Sequence, residues 1–108
     1  MSVVTTEVPV GSGRLLTVYE AGDLAGTPVV YHHGTPGTGL PYELHARLAE
    51  EQGIRLVSYD RAGYAASTRD AGRDVAAVAQ DIAKATAALE IDRFCTWGWS
   101  GGGPHALA

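Results

Sequence analysis

The sequence predicts an α/β fold that opens with a β-hairpin and continues with parallel strands joined by crossover helices. Short apolar runs alternate with longer segments whose apolar residues recur every three or four positions. Strands that alternate with helices pair in parallel and form a sheet that helices cover on both faces. A third observation is the pentapeptide Gly98-Trp99-Ser100-Gly101-Gly102, which lies between an apolar run and a small-residue stretch. That context predicts a sharp turn from a strand into a helix.

The first half of the chain predicts a hairpin, one further strand and one helix. Val3–Val10 is rich in Val and Thr, Gly11-Ser12-Gly13 is a turn, and Arg14–Glu20 is the second strand of the hairpin. The remaining segments are, in chain order, a loop at 21–27, a strand at Pro28–His32, a glycine-rich loop at His33–Gly39, and a helix at Leu40–Gln52 that Gly53 ends.

The second half contains the most regular pattern of the chain. An apolar stripe with steps of three and four residues predicts a helix over Asp74–Glu90, with Asp70 or Asp74 as its cap. The other segments are a strand at Ile54–Tyr59, a loop at Asp60–Gly72, a strand at Phe94–Trp97, and the start of a helix at Gly101–Ala108. The predicted order is β-β-β-α-β-α-β-α in a single domain without repeats or linkers.

Composition and charge exclude several classes of protein. The chain has 108 residues with a net charge of −4 and no basic stripe, which argues against a nucleic-acid-binding protein. No apolar stretch approaches the roughly 20 residues that a membrane helix needs. The first residues do not resemble a secretory signal, and together with the single cysteine this favours a cytoplasmic location. Cys95 follows Phe94 in an apolar run, so we expect a buried thiol.

The Ser100 pentapeptide has the residue types that a nucleophilic serine requires. Glycines at Gly98 and Gly102 let a strand and a helix approach closely around a strained serine. The turn presents the hydroxyl at the C-terminal edge of the sheet, where open α/β sheets bind ligands. The helix that follows directs unpaired N–H groups toward the same point, where they would stabilise a developing oxyanion.

A second motif, His32-His33-Gly34-Thr35-Pro36-Gly37, begins at the end of the predicted strand Pro28–His32. A loop at this place can direct a backbone N–H at the same oxyanion, and with the N–H of Gly101 it would complete a two-donor hole. Gly34 and Gly37 would let this loop bend toward a substrate. The two adjacent histidines point to opposite sides of an extended segment, so we expect no shared metal site.

These motifs, in this order and spacing, resemble the N-terminal part of an α/β-hydrolase-fold protein over essentially the whole chain. Residues 33–37 are similar to the family's H-G-x-P-G oxyanion loop, residues 59–67 to its loop after the fourth strand, and residues 98–102 to its nucleophile elbow. Two positions depart from the family. Ala65 and Ala66 stand where many members have a glycine, and Ser100 stands where epoxide hydrolases and haloalkane dehalogenases have aspartate, which disfavours those two reactions.

The resemblance implies roles for five residues. Ser100 would be the nucleophile, Thr35 and Gly101 would supply the oxyanion-hole N–H groups, and Gly34 and Trp99 would line the substrate pocket. Neither a cofactor nor a metal is implied, because the chain has no phosphate-binding glycine pattern and no metal-ligand spacing.

The resemblance also implies an acid and a histidine base downstream of the elbow, and the chain offers no good substitute for them. His33 would shape the oxyanion loop, His45 is expected at the surface beside Glu43 and Arg47, and His105 is expected to point away from the serine. His32 is a poor candidate for the same reason as His33. Asp60 is expected to brace its loop with Arg61 nearby, and Asp81 to lie on a helix face with Lys84.

Residues 1–108 are therefore expected to form an incomplete core domain, with strands 1–5 and the start of the helix after the nucleophile. The predicted function is the N-terminal portion of a serine hydrolase that acts on ester, lactone or amide bonds of a small-molecule substrate. Its acid and base would lie on a C-terminal segment, either a separate partner chain or a part removed by truncation. The alternative is a non-catalytic binding or interaction module with the same fold.

Overall fold

A computed structural model describes residues 3–35 and 37–108. Its elements are, in chain order, β1 (Val4–Gly11), β2 (Arg14–Gly22), β3 (Thr27–His32), α1 (Glu43–Glu51), β4 (Ile54–Tyr59), α2 (Ala77–Ala88), β5 (Cys95–Gly98), a 3₁₀ turn (Ser100–Gly102) and α3 (Gly103–Leu107). The predicted order of strands and helices is confirmed, including the bounds of β4. The predictions that fall on residues 1, 2 and 36 lie outside the described residues.

The five strands form one mixed sheet with the order β1-β2-β4-β3-β5. The hairpin pairs β1 with β2 antiparallel, and β2 also pairs antiparallel with β4. The parallel part consists of β3 with β4 and β3 with β5. Parallel pairing places the C-terminal ends of β3 and β5 at one edge, with His32 opposite Gly98. The two motifs of the sequence therefore leave the sheet side by side.

Both long helices begin about three residues later than their sequence patterns suggest. α1 begins at Glu43 rather than Leu40. Pro41 explains this, because the residue before a proline is disfavoured in helical conformation. α2 begins at Ala77, whose N–H donates to the Asp74 carboxylate at 2.8 Å. Asp74 therefore caps the helix, as predicted, and the regular helix begins three residues after it.

The core lies between the hairpin side of the sheet and α2. Its members are buried apolar side chains of β1, β2, β3, β4 and α2, among them Val8, Leu16, Val18, Val57 and Val78. α1 packs on β2 and β4 through the small residues Ala46 and Ala49. No helix within residues 3–35 and 37–108 is long and apolar enough to span a bilayer.

A partly buried ion pair ties the hairpin to α2. The Arg14 guanidinium donates to both carboxylate oxygens of Asp81, at 2.7 and 3.2 Å, and Asp81 is only 3% exposed. Lys84 donates to the Val10 carbonyl at 2.7 Å. Asp81 and Lys84 lie on one face of α2, as expected, and both side chains reach across to the hairpin.

The expectation of a buried Cys95 is also wrong, since its side chain is exposed. Cys95 lies in β5, the edge strand beside β3, and residues 95–97 are all exposed. Among the described helices only the short α3 makes substantial contact with β5. The apolar run of β5 identified a strand correctly, but the burial of a strand depends on which elements cover it.

Candidate active site

The serine of the pentapeptide occupies a strained backbone position at the end of β5. Ser100 has φ +50°, in the left-handed region that non-glycine residues rarely adopt. Trp99 before it is extended, and a 3₁₀ turn begins at Ser100. Such a conformation costs on the order of 1–3 kcal/mol and is typical of functional sites. Ser100 is exposed, so the turn presents its side chain to ligands.

The glycines of the elbow are required by close backbone contacts. A Cβ on Gly102 would overlap the carbonyl oxygen of His32, and one on Gly98 would lie 2.6 Å from the carbonyl oxygen of Gly102. Real Cβ atoms do not approach backbone so closely. By contrast, a Cβ on Gly103 would meet nothing within 4 Å. The predicted steric reason for Gly98 and Gly102 is thus present in the structure.

The elbow and the loop after β3 lie against each other. A Cβ on Gly34 would lie 3.4 Å from the Cβ of Ser100. A Cβ on Gly101 would lie 2.7 Å from Thr35 Oγ1 and 3.3 Å from the Thr35 nitrogen. The structure therefore brings together four of the residues that the sequence singled out, Gly34, Thr35, Ser100 and Gly101.

A cavity of about 350 Å³ opens at this junction. Its walls combine the elbow, the loop after β3 and the segment before α1, and the lining residues include Gly34, Thr35, Leu40, Tyr42, Trp99 and Ser100. Trp99 is 65% exposed and is available to contact a ligand. A larger cavity of about 440 Å³ lies between α2 and α3 and does not include Ser100.

His33 shapes the loop, as the resemblance implied. The side chain is 2% exposed, and its Nε2 accepts a hydrogen bond from the Arg61 backbone N–H at 3.0 Å. The proton is therefore on Nδ1, which donates to the Gly34 carbonyl at 2.7 Å. Burial lowers the pKa of His33, so the neutral imidazole is favoured. A neutral histidine with both nitrogens engaged is a structural brace.

Arg61 is a site residue that sequence reasoning missed. Its guanidinium donates to the His33 carbonyl at 2.9 Å and to Thr35 Oγ1 at 3.0 Å. It is 1% exposed, and the ion pairs among the described residues involve only Arg14 and Arg55. The ring of Tyr64 lies 5.1 Å from the guanidinium carbon. The only indication in the sequence was that Arg61 directly follows Asp60 and a predicted strand.

Asp60 braces the far end of the same loop. It is fully buried and accepts hydrogen bonds from the Gly39 N–H at 2.8 Å and the Tyr19 hydroxyl at 2.7 Å. Ser58 Oγ donates to the Gly39 carbonyl at 2.5 Å, and a Cβ on Gly39 would overlap the backbone of Tyr59. Within its own loop, where bracing was expected, Asp60 accepts only a long contact from the Ala66 N–H at 3.4 Å, and its strong partners are Gly39 and Tyr19. Burial, with the bond to Asp60, raises the pKa of Tyr19 to about 12.

The other three histidines are engaged away from the serine hydroxyl. His105 Nδ1 lies 2.9 Å from the Gly101 carbonyl, and His32 Nδ1 lies 2.5 Å from the Tyr59 hydroxyl. The prediction that His105 is not a base agrees with this. The prediction of a solvated His45 is wrong in part, since its half-buried ring packs 5.2 Å from the ring of Trp97. Within the described part of the chain, no cluster of three potential metal ligands occurs.

Comparisons with known proteins agree with this geometry. A sequence profile of the family described as "alpha/beta hydrolase fold" matches residues 27–108. A non-heme chloroperoxidase from Streptomyces lividans is 31% identical over 104 residues, which are 95% of this chain and 36% of that protein.

Two solved structures are also similar. An esterase from Exiguobacterium antarcticum has a TM-score of 0.83 and 30% identity, covering 96% of this chain and 38% of its own. A proline iminopeptidase-related protein from Thermus thermophilus has a TM-score of 0.78 and 28% identity, with 99% and 39% covered. The chain thus spans less than two fifths of the length of these relatives. On the profile match, the sheet and the elbow, the chain belongs to the α/β-hydrolase-fold family.

Proposed function

We propose that this chain is the N-terminal portion of a serine hydrolase that cleaves ester, lactone or amide bonds through an acyl-enzyme. The observation that carries the proposal is Ser100, exposed at φ +50° in a cavity that also contains Thr35. The Gly101 backbone adjoins Thr35 at this point. A serine where epoxide hydrolases have aspartate favours acyl transfer over epoxide opening.

The proposed reaction begins when Ser100 Oγ attacks the acyl carbon and gives its proton to a base. The carbonyl oxygen becomes an oxyanion between the N–H groups of Thr35 and Gly101. One such donor is typically worth about 3 kcal/mol in the transition state. The tetrahedral intermediate then expels the alcohol or amine, which takes up the proton from the base. A water molecule attacks the acyl-enzyme in the same way and releases the acid and the free serine.

We propose that the base and its orienting acid belong to a part of the protein outside residues 1–108. Each of the four histidines in the chain is engaged elsewhere, and the relatives are more than twice as long as this chain. Residues 1–108 would then form an incomplete core domain whose C-terminal remainder is continuous with it or bound as a separate chain.

The substrate class is proposed from the cavity and from the names of similar proteins. One of these is an esterase and another is related to a proline iminopeptidase. Leu40, Tyr42 and Trp99 give the cavity an apolar wall that suits an acyl group. The single cysteine favours a cytoplasmic location for the enzyme.

A fluorophosphonate probe tests the proposal on the complete protein that contains this chain. We expect covalent labelling that peptide mass spectrometry assigns to Ser100 and that Ser100→Ala abolishes. An intact mass measurement of the same sample reports whether a second chain accompanies this one. A folded complete protein that the probe does not label would contradict the hydrolase and favour the non-catalytic binding module.

A further inference from the structure

The side chain of Thr35, as well as its backbone, adjoins Gly101 at the proposed oxyanion hole. We propose that the Thr35 hydroxyl is a third hydrogen-bond donor to this oxyanion, with Arg61 and Tyr64 as positioning residues behind it. The inference rests on the proposed serine hydrolase and adds a side-chain donor to the two backbone N–H groups.

The hydrogen bonds of Thr35 Oγ1 leave its proton available. A threonine hydroxyl has one proton to donate and two lone pairs that accept. The Arg61 guanidinium, which can only donate, occupies a lone pair at 3.0 Å. The Tyr64 hydroxyl lies 3.4 Å away, which is a weak contact. Within the described part of the chain, the hydroxyl proton therefore has no strong acceptor, and an oxyanion would supply one.

Thr35 Oγ1 lies beside Gly101, at the wall of the cavity. The oxygen lies 2.7 Å from the point where a Cβ on Gly101 would stand, and the Thr35 nitrogen lies 3.3 Å from the same point. The hydroxyl and the N–H of Thr35 thus both adjoin the residue that supplies the other proposed donor. Thr35 is exposed and lines the cavity that contains Ser100.

The burial of Arg61 gives an independent reason for this role. A charged guanidinium that is 1% exposed, with no carboxylate among the described residues within 4.0 Å, carries a large desolvation cost. Its positive charge lies directly behind the Thr35 hydroxyl. In a low-dielectric site, hydrogen bonds in a chain polarise one another. Arg61 would therefore strengthen the donation from Thr35 when negative charge develops. The hydroxyl keeps its proton throughout.

The test compares two substitutions of Thr35 in the complete protein. Thr35→Val keeps the shape and the backbone N–H but removes the hydroxyl, and Thr35→Ser keeps the hydroxyl. The readout is the rate of fluorophosphonate labelling, in which Ser100 Oγ bonds to phosphorus, fluoride leaves, and the serine proton goes to the base. We expect Thr35→Val to lower the maximal labelling rate by about 10²-fold with little change in probe binding. Thr35→Ser should keep most of that rate.

Each outcome decides between the hydroxyl and its alternatives. Equal rates for Thr35→Val and the unsubstituted protein would overturn the inference while leaving the serine hydrolase intact. Equally large losses in both variants would also overturn it, because Thr35→Ser retains the hydroxyl and this donor would then not sustain the rate. If the unsubstituted protein is folded but not labelled, the proposed function itself fails. A double variant adds a check. If Tyr64 acts through the Thr35 hydroxyl, adding Tyr64→Phe to Thr35→Val should lower the labelling rate little further.

Discussion

Arg14 is partly buried and Arg61 is fully buried, and they lie at different ends of the molecule and have different partners. Arg14 joins the hairpin to α2 through two hydrogen bonds to the Asp81 carboxylate. The bond and the charge of Asp81 raise the pKa of Arg14. Arg61 lies under the loop after β3, and within the described part of the chain its guanidinium donates to neutral oxygens of His33 and Thr35. The charge of Arg14 is therefore matched by a carboxylate, whereas Arg61 has no carboxylate partner among the described residues.

From these two environments we expect Arg14 to serve the fold and Arg61 to serve the proposed chemistry. A paired buried charge holds two elements together, and its loss leaves an uncompensated partner. An unmatched buried charge is unfavourable in the resting protein and becomes favourable when an anion forms nearby. We therefore expect substitutions at the hairpin end to change the stability of the protein. Substitutions at the elbow end should change the reactivity of Ser100.

The largest expected effect on stability is at the hairpin end. Asp81→Ala removes both hydrogen bonds of the partly buried Arg14 guanidinium and leaves it only the longer contact to Asp70 at 3.7 Å, so the free energy of unfolding should fall by about 1–3 kcal/mol. Denaturant unfolding of the complete protein measures this loss, and the labelling rate of Ser100 should persist under conditions where the variant is folded. Asp92→Ala removes an exposed carboxylate and should change stability by no more than about 0.5 kcal/mol. Equal effects of the two substitutions would contradict a stabilising role for the Arg14–Asp81 pair.

The next effect is on reactivity at the elbow end. Arg61→Lys keeps the charge but cannot reproduce the planar pair of bonds to His33 and Thr35. The labelling rate of Ser100 should fall by about 10²-fold, as for the loss of one oxyanion donor. Arg14→Lys is the matched substitution and should leave that rate in place. A rate that depends equally on both arginines would show that they share one structural role.

A smaller effect concerns pH, and it too belongs to the elbow end. Burial, followed by the charges of His105, Arg61 and His33, lowers the pKa of His32 from 6.5 to about 4. The unfolded chain binds this proton at higher pH than the folded one, so stability is full above pH 6.5 and falls as the pH drops toward 4. The slope from one such group is at most about 1.4 kcal/mol per pH unit.

Unfolding measurements between pH 7 and 4 on the complete protein test this slope. His32→Asn should reduce the pH dependence relative to the unsubstituted protein. An identical pH dependence in the variant would mean that the burial of His32 does not control it.

The smallest effect compares two serines in the left-handed region. Ser12 in the hairpin turn has φ 54° and Ser100 has φ 50°. Glycine adopts this conformation freely, so Ser12→Gly and Ser100→Gly should each stabilise the protein by about 0.5–1 kcal/mol. Only Ser100→Gly should abolish labelling. If Ser100→Gly lowers the midpoint of denaturant unfolding, Ser100 is not strained.

The sequence predicted the element order, the elbow and the junction of two distant motifs, because these depend on local patterns. Gly98, Gly102 and Ser100 lie in one pentapeptide whose glycines have a steric reason that can be stated from sequence. The parallel pairing of β3 with β5 then brings the Thr35 loop to the elbow. The alternation of strands with helices in the sequence had predicted this parallel pairing.

The errors concern residues whose environment depends on distant partners. Cys95 was expected to be buried because its run is apolar, yet its strand lies at the edge of the sheet. Asp81 was placed on a helix face near Lys84, and its pairing with Arg14 from the hairpin was not foreseen. Arg61 was overlooked because nothing local distinguishes a buried arginine from an exposed one. These contacts join segments that only the folded sheet brings together.

The loop from His33 to Gly39 is fastened at both ends, by Arg61 at His33 and by Ser58 and Asp60 at Gly39. β4 and the residues directly after it therefore fix the distance between the two ends of the loop. That distance in turn fixes how many residues the loop needs. The identity of the side chains between the two fastenings is less constrained. For protein engineering, this means that insertions or deletions should be avoided here. Thr38, between the two fastenings, and Leu40, directly after them, line the cavity and are the places to diversify when a new substrate preference is sought.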